Sequence, residues 1–349
     1  MARLSALLLL AAQTVCGLRV AVSGASGRTG SLLVRKLLSE GHSVTAIIRD
    51  EQKAKASLPQ HAGLELVVMD LGSAEEQALQ AVCEGADRLI WCATGFSDDG
   101  ELIDTKAMKA MPKAFSKAGT SGEGSVPPMI VMLSSAGVTR TGWDEAKKER
   151  LVGAADIPII RLNPMGILEK KKEAEQILRE SGVPYCIVRP TGLKFEGWPQ
   201  GRPIISQGDV AVGRTNPSDL VDVLAAALLE PQASGKTFEM CTLTGYPPPR
   251  KLAPSLERLR PDHAGALDEA SVEAAYNLMQ QLLPGEEQDA TKLEMGRTYE
   301  MVDSGEVARE RGAAPTEREQ KVAAGVASAT VSQSQGQPLK ALFNKLFRA

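Results

Sequence analysis

The chain has 349 residues, 43% of them hydrophobic and 24% charged, with a net charge of −3. That balance belongs to a globular protein with a sizeable core, and with no Lys/Arg run it excludes a nucleic-acid footprint. Aromatic residues make up only 4%, which argues against a carbohydrate surface or a platform for stacking single strands.

Residues 1–17, MARLSALLLLAAQTVCG, carry a basic residue, an apolar stretch over 7–12 and a small residue at the end. The pattern is that of a secretory signal peptide, and such a leader also opens a plastid route. It is too short to span a bilayer. The competing reading is an uncleaved apolar extension.

The next stretch, LRVAVSGASGRTG over 18–30, runs strand-like residues into Gly24, Gly27 and Gly30. An amphipathic helix is predicted over 31–40, with Leu32, Leu33, Val34, Leu37 and Leu38 on one face and a stop at Gly41. Strand, glycine turn and helix make a cradle for a dinucleotide diphosphate, because the backbone can approach the phosphates and the helix start offers N–H groups. Gly24, Ser26, Gly27, Arg28, Thr29 and Gly30 are the residues expected to hold it. The GxxGxxG spacing differs from the commoner GxGxxG, and a glycine triplet alone can be a loop without a ligand. The flanking strand and helix carry the reading.

A second strand over 43–48 ends in AIIRD. A basic residue at this end accommodates the 2′-phosphate of NADP, whereas an acidic one favours NAD. Arg49 is expected to read that phosphate, with Arg28 and Lys53 as further contacts. Asp50 keeps NAD(H) as the less favoured cofactor, through a ribose hydroxyl.

Further strands are predicted over 64–69, 88–93, 129–133, 185–188 and 237–241, and helices over 74–84, 169–180 and 218–229. The alternation predicts an α/β fold, a doubly wound parallel sheet with helices on both faces, spanning 18–250. Residues 117–128, rich in Gly and Ser, read as a loop. Beyond it come a charged helical extension over 251–325 and a flexible polar linker over 326–337. The end, 338–349, places Leu339, Leu342, Phe343, Leu346 and Phe347 on one helical stripe, with Lys340, Lys345 and Arg348 off it. Such a basic amphipathic helix suits a membrane surface or a partner groove, or packs back on its own domain.

In an open α/β sheet the ligand lies at the carboxyl ends of the strands. Asp70 is expected to take the adenine amino group, with Leu71 against the ring. Ala93 and Thr94 are small enough to admit the nicotinamide ribose. Ser134 and Ser135 end the fifth strand, and Pro190 and Thr191 follow the sixth, beside the expected nicotinamide. Cys16, Cys83, Cys92, Cys186 and Cys241 form no CxxC or zinc spacing, and Cys92 and Cys186 sit in apolar runs as small hydrophobes. His42, His61 and His263 are isolated, so no metal site is expected.

Five motifs together, GASGRTG (24–30), AIIRD (46–50), LIWCATGF (89–96), VMLSSAG (131–137) and KKEAEQILRESGVPYCIVRPTGL (171–193), resemble the atypical short-chain dehydrogenases/reductases of the NAD(P)H-binding group, notably plant and algal plastid members. The resemblance covers about 18–245 and implies a Rossmann core with NADP along these loops. It also implies a catalytic role for Ser134, orienting a carbonyl, and for Lys171, holding the nicotinamide ribose. The typical YxxxK pair is missing: four residues after Tyr185, Tyr246, Tyr276 and Tyr299 stand Arg189, Arg250, Gln280 and Asp303. Lys171 occupies the lysine place, and Ile167 stands where the tyrosine would be. Isoleucine cannot move a proton, a loss of roughly 10²–10⁴-fold in rate for general-acid chemistry. Two expectations follow. One is an NADP(H)-binding, reductase-like oxidoreductase acting on an unnamed small molecule. The other is a non-catalytic, redox-sensing scaffold that engages a membrane or protein through 338–349. An epimerase or dehydratase is disfavoured, because those reactions also rely on the tyrosine.

Overall fold

The computed structural model describes residues 17–115 and 126–282. The leader, the polar linker and the C-terminal amphipathic segment expected above lie outside the described residues, as does most of the 117–128 loop. Ten strands are described: β1 Arg19–Ser23, β2 Ser43–Ile48, β3 Leu64–Val68, β4 Arg88–Trp91, β5 Ile130–Leu133, β6 Tyr185–Pro190, β7 Gly192–Leu193, β8 Gly201–Ser206, β9 Arg214–Thr215 and β10 Lys236–Thr244. The helices are α1 Arg28–Ser39, α2 Glu51–Ser57, α3 Glu76–Ala81, α4 Ile103–Ala110, α5 Glu145–Arg150, α6 Val152–Ala155, α7 Pro158–Leu162, α8 Ile167–Glu180, α9 Pro217–Leu229, α10 Ala253–Glu257 and α11 Glu269–Leu282. None of them is long and apolar enough to cross a membrane.

The main sheet has the order β3-β2-β1-β4-β5-β6-β10-β8. All neighbours run parallel except β8, which joins β10 antiparallel. This is the doubly wound Rossmann sheet, with its switch point between β1 and β4. Two-residue periodicity sends alternate side chains to opposite faces. Val20, Val22, Ile90, Val131, Cys186 and Val188 face α1 and α9 in one core. Ala21, Leu89, Trp91, Ile130, Met132 and Ile187 face α4 and α8 in the other. Helices therefore cover both faces, and the central strands are apolar on both sides.

Several boundaries differ from those expected. The first helix starts at Arg28, three residues before the predicted start, with Gly27 as its N-cap. β4 ends at Trp91 because the Ser23 hydroxyl accepts from the N–H groups of Cys92 and Ala93, at 3.0 and 3.1 Å, and takes over from the ladder. β6 and β10 are longer than predicted, while β7, β8 and β9 were not predicted. In the 251–325 stretch, α10 buries Leu256 in the core shared by α1 and α9. α11 lays Val272 and Met279 against Val210, Val212 and Cys241.

Candidate functional site

The turn between β1 and α1 is built by what glycine lacks. Gly24 has φ +63, and a Cβ there would sit 3.0 Å from the Ala93 backbone. A Cβ on Gly27 would lie 3.0 Å from the Gly24 carbonyl oxygen, and one on Gly30 only 2.2 Å from it. The turn is thus pressed against β4 on one side and against α1 on the other. The Gly27 N–H donates to Gly24 O at 2.8 Å, and the first helical turn closes from Ser31 N–H to Gly27 O at 2.9 Å. The N–H groups of Thr29 and Gly30 precede that first intrahelical bond, at the positive end of the helix dipole.

The start of α1 differs from those of α2, α5 and α9 in lacking a side-chain cap, and from the likewise uncapped starts of α3, α4 and α8 in lacking an acidic residue in its first turn. Asp50 caps α2, Asp144 caps α5 and Asn216 caps α9 through side-chain oxygens. α1 has no side-chain cap and no acidic residue in its first turn. A cradle that a Cβ would fill, under an uncapped helix start, fits the diphosphate of a dinucleotide.

On the adenosine side, Arg49 directly follows β2 and is exposed. Asp50 is spent locally, its Oδ1 accepting from Lys53 N–H at 3.0 Å. Asp70 Oδ1 accepts from Gly72 N–H at 3.0 Å, and Leu71 is buried beside it. Arg28 lays its guanidinium over the Phe195 ring, 4.1 Å from the centroid. Phe195 follows β7 on the β6–β10 side of the sheet, whereas Arg49 ends β2 on the other side of β1.

On the other side, Ala93 is buried and Thr94 exposed after β4. Pro190 and Thr191 are both buried, and the Thr191 hydroxyl shares a 2.9 Å hydrogen bond with that of Thr215. Lys171 donates from Nζ to Asp104 Oδ1 at 2.8 Å, a buried ion pair that ties α8 to α4. Ile167, one turn earlier, is buried among Phe96, Leu102, Val138 and Leu168. Burial pushes the Cys83, Cys92 and Cys241 thiols up to about 12, so all three stay protonated near neutrality.

Beneath the ends of β5, β6 and β10 lies a buried charge cluster. Arg189 binds Glu175 with two bonds, Nε to Oε1 at 2.9 Å and an Nη to Oε2 at 2.5 Å. Burial alone would raise the Glu175 carboxyl, but the Arg189 and Arg179 guanidiniums outweigh that and hold it below its ordinary value. The Ser134 hydroxyl is buried beside this carboxylate and helps to lower it, although its geometry falls short of a full hydrogen bond. Asp209 accepts from the N–H groups of Gly137 and Thr139 at 2.7 and 2.8 Å, and Arg140 Nε lies 3.4 Å away. Glu239, paired in register with Arg189 across β6 and β10, is pushed up to about 7 by burial and by the Asp209 charge.

The residues that sequence reasoning missed are Ser23, Glu175, Asp209, Glu239 and Phe195. Only Ser23 carried a signal, a polar residue closing an apolar strand directly before the first glycine.

The family profile described as NAD(P)H-binding matches residues 24–231. The chain belongs to the NAD(P)H-binding family. An uncharacterized chloroplastic protein of Arabidopsis thaliana is 30% identical over 229 residues, covering 64% of this chain and 76% of that protein. Sanguinarine reductase of Eschscholzia californica is 28% identical over 258 residues, covering 64% of this chain and 88% of that protein. Among solved structures, the oxidoreductase ylbE of Lactococcus lactis aligns with a TM-score of 0.51 at 18% identity, covering 68% of this chain and 95% of that one. The structural likeness establishes the shared fold. The sequence likeness places reductase-like and plastid proteins among the relatives.

Proposed function

We propose that this protein is an NADP(H)-binding oxidoreductase of the atypical short-chain type, working in a plastid. The observation that carries the reading is the pair of neighbouring strand ends. After β1, an uncapped helix start faces the glycine cradle. After β2, Arg49 is exposed while Asp50 is spent on capping α2. That arrangement favours a 2′-phosphate over a bare ribose hydroxyl at this position.

The chain's own residues divide the work. Backbone N–H groups of the 24–30 turn and the α1 dipole hold the diphosphate. Arg49 binds the 2′-phosphate, with Lys53 next to it. Asp70 and Leu71 flank the adenine. Ala93, Thr94, Pro190 and Thr191 frame the nicotinamide end, and the bound nicotinamide supplies the hydride chemistry. Ser134 orients the acceptor, steadied by the carboxylate beside it. Lys171 acts at the ribose through a position fixed by Asp104.

Ile167 sets the substrate class. With no phenol to donate a proton, the acceptor is one that needs none from a side chain, such as a quinone, a flavin or an activated alkene. A chloroplastic relative and a reductase relative support plastid location and reduction respectively.

A second reading keeps the nucleotide site and drops turnover. The ion pair that holds the Lys171 ammonium on Asp104 favours it, because a lysine so engaged has a structural role. The protein would then report the NADPH/NADP⁺ ratio to a membrane or a protein partner through 338–349. Thermal shift with NADPH, NADP⁺, NADH and NAD⁺ tests the shared claim, since bound ligand raises the melting point with occupancy. NADPH oxidation against quinones then separates the two: turnover supports the reductase, and nucleotide-dependent liposome or partner binding without turnover supports the scaffold.

A further inference from the structure

Phe195 belongs to a segment fastened at both ends. Before it, β7 pairs with β9, and Lys194 N–H donates to Thr215 O at 3.1 Å. After it, the Trp198 carbonyl accepts from Asn216 Nδ2 at 2.7 Å, and Gly201 N–H donates to Asp219 Oδ2 at 3.0 Å. Asn216 and Asp219 are the N-cap and first turn of α9, and α9 lies beside α1 on the same face of the sheet. The Lys36–Asp222 ion pair, at 2.9 Å, joins those two helices along their length. The segment is therefore a strap hung from α9, and its aromatic ring reaches the first residue of α1. The Arg28–Phe195 stack closes the span between the strap and the glycine turn.

We infer that Phe195 is a cofactor-positioning residue: it holds Arg28 over the mouth of the glycine turn so that the guanidinium meets the diphosphate, not the 2′-phosphate. The ring covers one side of the guanidinium, and N–H groups directed away from it can bond phosphate oxygens, so the two contacts are compatible. A fixed guanidinium loses less side-chain freedom when an anion arrives. The side of the sheet decides which phosphate is served. Phe195 draws Arg28 toward β6, away from Arg49 at the end of β2. The inference rests on the dinucleotide reading of the turn, and adds a division of labour between the two arginines.

The test is isothermal titration of the full-length protein with NADPH, NADH and ADP, which share the diphosphate. Phe195→Ala is expected to weaken all three by about the same factor, roughly fivefold. Phe195→Tyr should bind like the parent. Arg28→Met should weaken all three by about tenfold, and by less once Phe195 is already alanine. The NADPH/NADH preference should stay constant in all these variants. Unchanged affinity in Phe195→Ala would overturn the inference, as would tighter binding, which would make the ring a plug. A fall confined to NADPH would also overturn it, because Arg28 would then serve the 2′-phosphate. Should Phe195→Ala fold poorly, the dependence of the Arg28→Met effect on Phe195→Tyr against Phe195→Leu decides the matter. A parent protein that binds none of the three would overturn the dinucleotide reading itself, and this inference with it.

Discussion

The two ends of strands that flank the sheet's centre are built on opposite plans. After β1 the chain offers backbone. Three glycines bring main-chain atoms together, and the helix that follows is left without a side-chain cap. After β5, β6 and β10 the chain offers side chains, and these are spent on one another: Glu175 on Arg189, Asp209 on Arg140 and two N–H groups, Lys171 on Asp104. The first region is a main-chain turn packed under a helix start that no side chain caps. The second is a closed circuit of charge that fixes helices and loops to the strands. The site we propose is thus marked by main chain that no side chain caps, and the cluster by ion pairs that leave only the Ser134 hydroxyl and one Asp104 oxygen unbonded among these buried side chains.

The largest effect should come from opening that circuit. Glu175→Ala leaves the Arg189 guanidinium buried without its partner, and breaking a buried pair this way costs about 3–5 kcal/mol. Urea denaturation at neutral pH should show it. Replacing both residues by Met and Leu should recover much of the loss, since a well-packed apolar pair avoids the desolvation of both ions. A Glu175→Ala protein as stable as the parent would mean that the pair does not exist in solution.

Gly30→Ala probes the other region. The added Cβ would stand 2.2 Å from the Gly24 carbonyl oxygen, so α1 must shift away from the turn. Such overpacking costs about 1–3 kcal/mol. The melting-point rise given by NADPH should disappear with it. Gly27→Ala, at 3.0 Å, should be milder on both counts. If Gly30→Ala keeps the full nucleotide shift, the cradle is not where the diphosphate sits.

Arg49→Asp removes the proposed contact to the 2′-phosphate and leaves the turn intact. A charge-assisted bond of this kind is worth about 1.5–3 kcal/mol, so the preference for NADPH over NADH should fall by tenfold or more. Titrating both nucleotides on the same preparation gives the ratio directly. An unmoved ratio would return the cofactor preference to some other residue.

These regions also differ in how far the sequence disclosed them. The glycine turn was legible because most of its constraint is local: Gly27 and Gly30 both close on the Gly24 carbonyl oxygen, and Gly24 itself meets a distant segment at Ala93. The doubly wound sheet was legible because central strands are apolar on both faces, which leaves short unbroken runs such as those at 89–93 and 129–133. α2 was not, since only Ala54 of its seven residues is buried and no apolar stripe marks it. β8 was hidden by Pro203 and by its place at the antiparallel edge. The charge cluster was invisible because its partners meet only in the fold. Asp209 reaches Gly137, and Glu239 faces Arg189, across long stretches of chain. Phe195 gave no sign of its stack with Arg28, because nothing in a lone aromatic residue of a loop says which cation it will meet.

The smallest effect is also the one that separates the cluster's members. Glu239 is pushed up to about 7 from an ordinary value of 4.5 by burial and by Asp209, while Arg189 and Arg140 pull it back. Between those two values the native protein keeps a proton that the unfolded chain has released. Stability must therefore fall as pH rises through that window and level off above it. Glu175 and Asp209 are held below their ordinary values, so they act in the opposite direction and at lower pH. Glu239→Gln keeps an acceptor for the Val210 N–H, which now donates to Oε2 at 3.2 Å, and removes the titration. Relative to the parent, this variant should gain stability progressively as pH rises from 5 to 8. Urea midpoints at four pH values would give the difference curve. A flat curve would show that Glu239 takes up and releases its proton alike in the folded and unfolded chain, so that burial and Asp209 do not raise it.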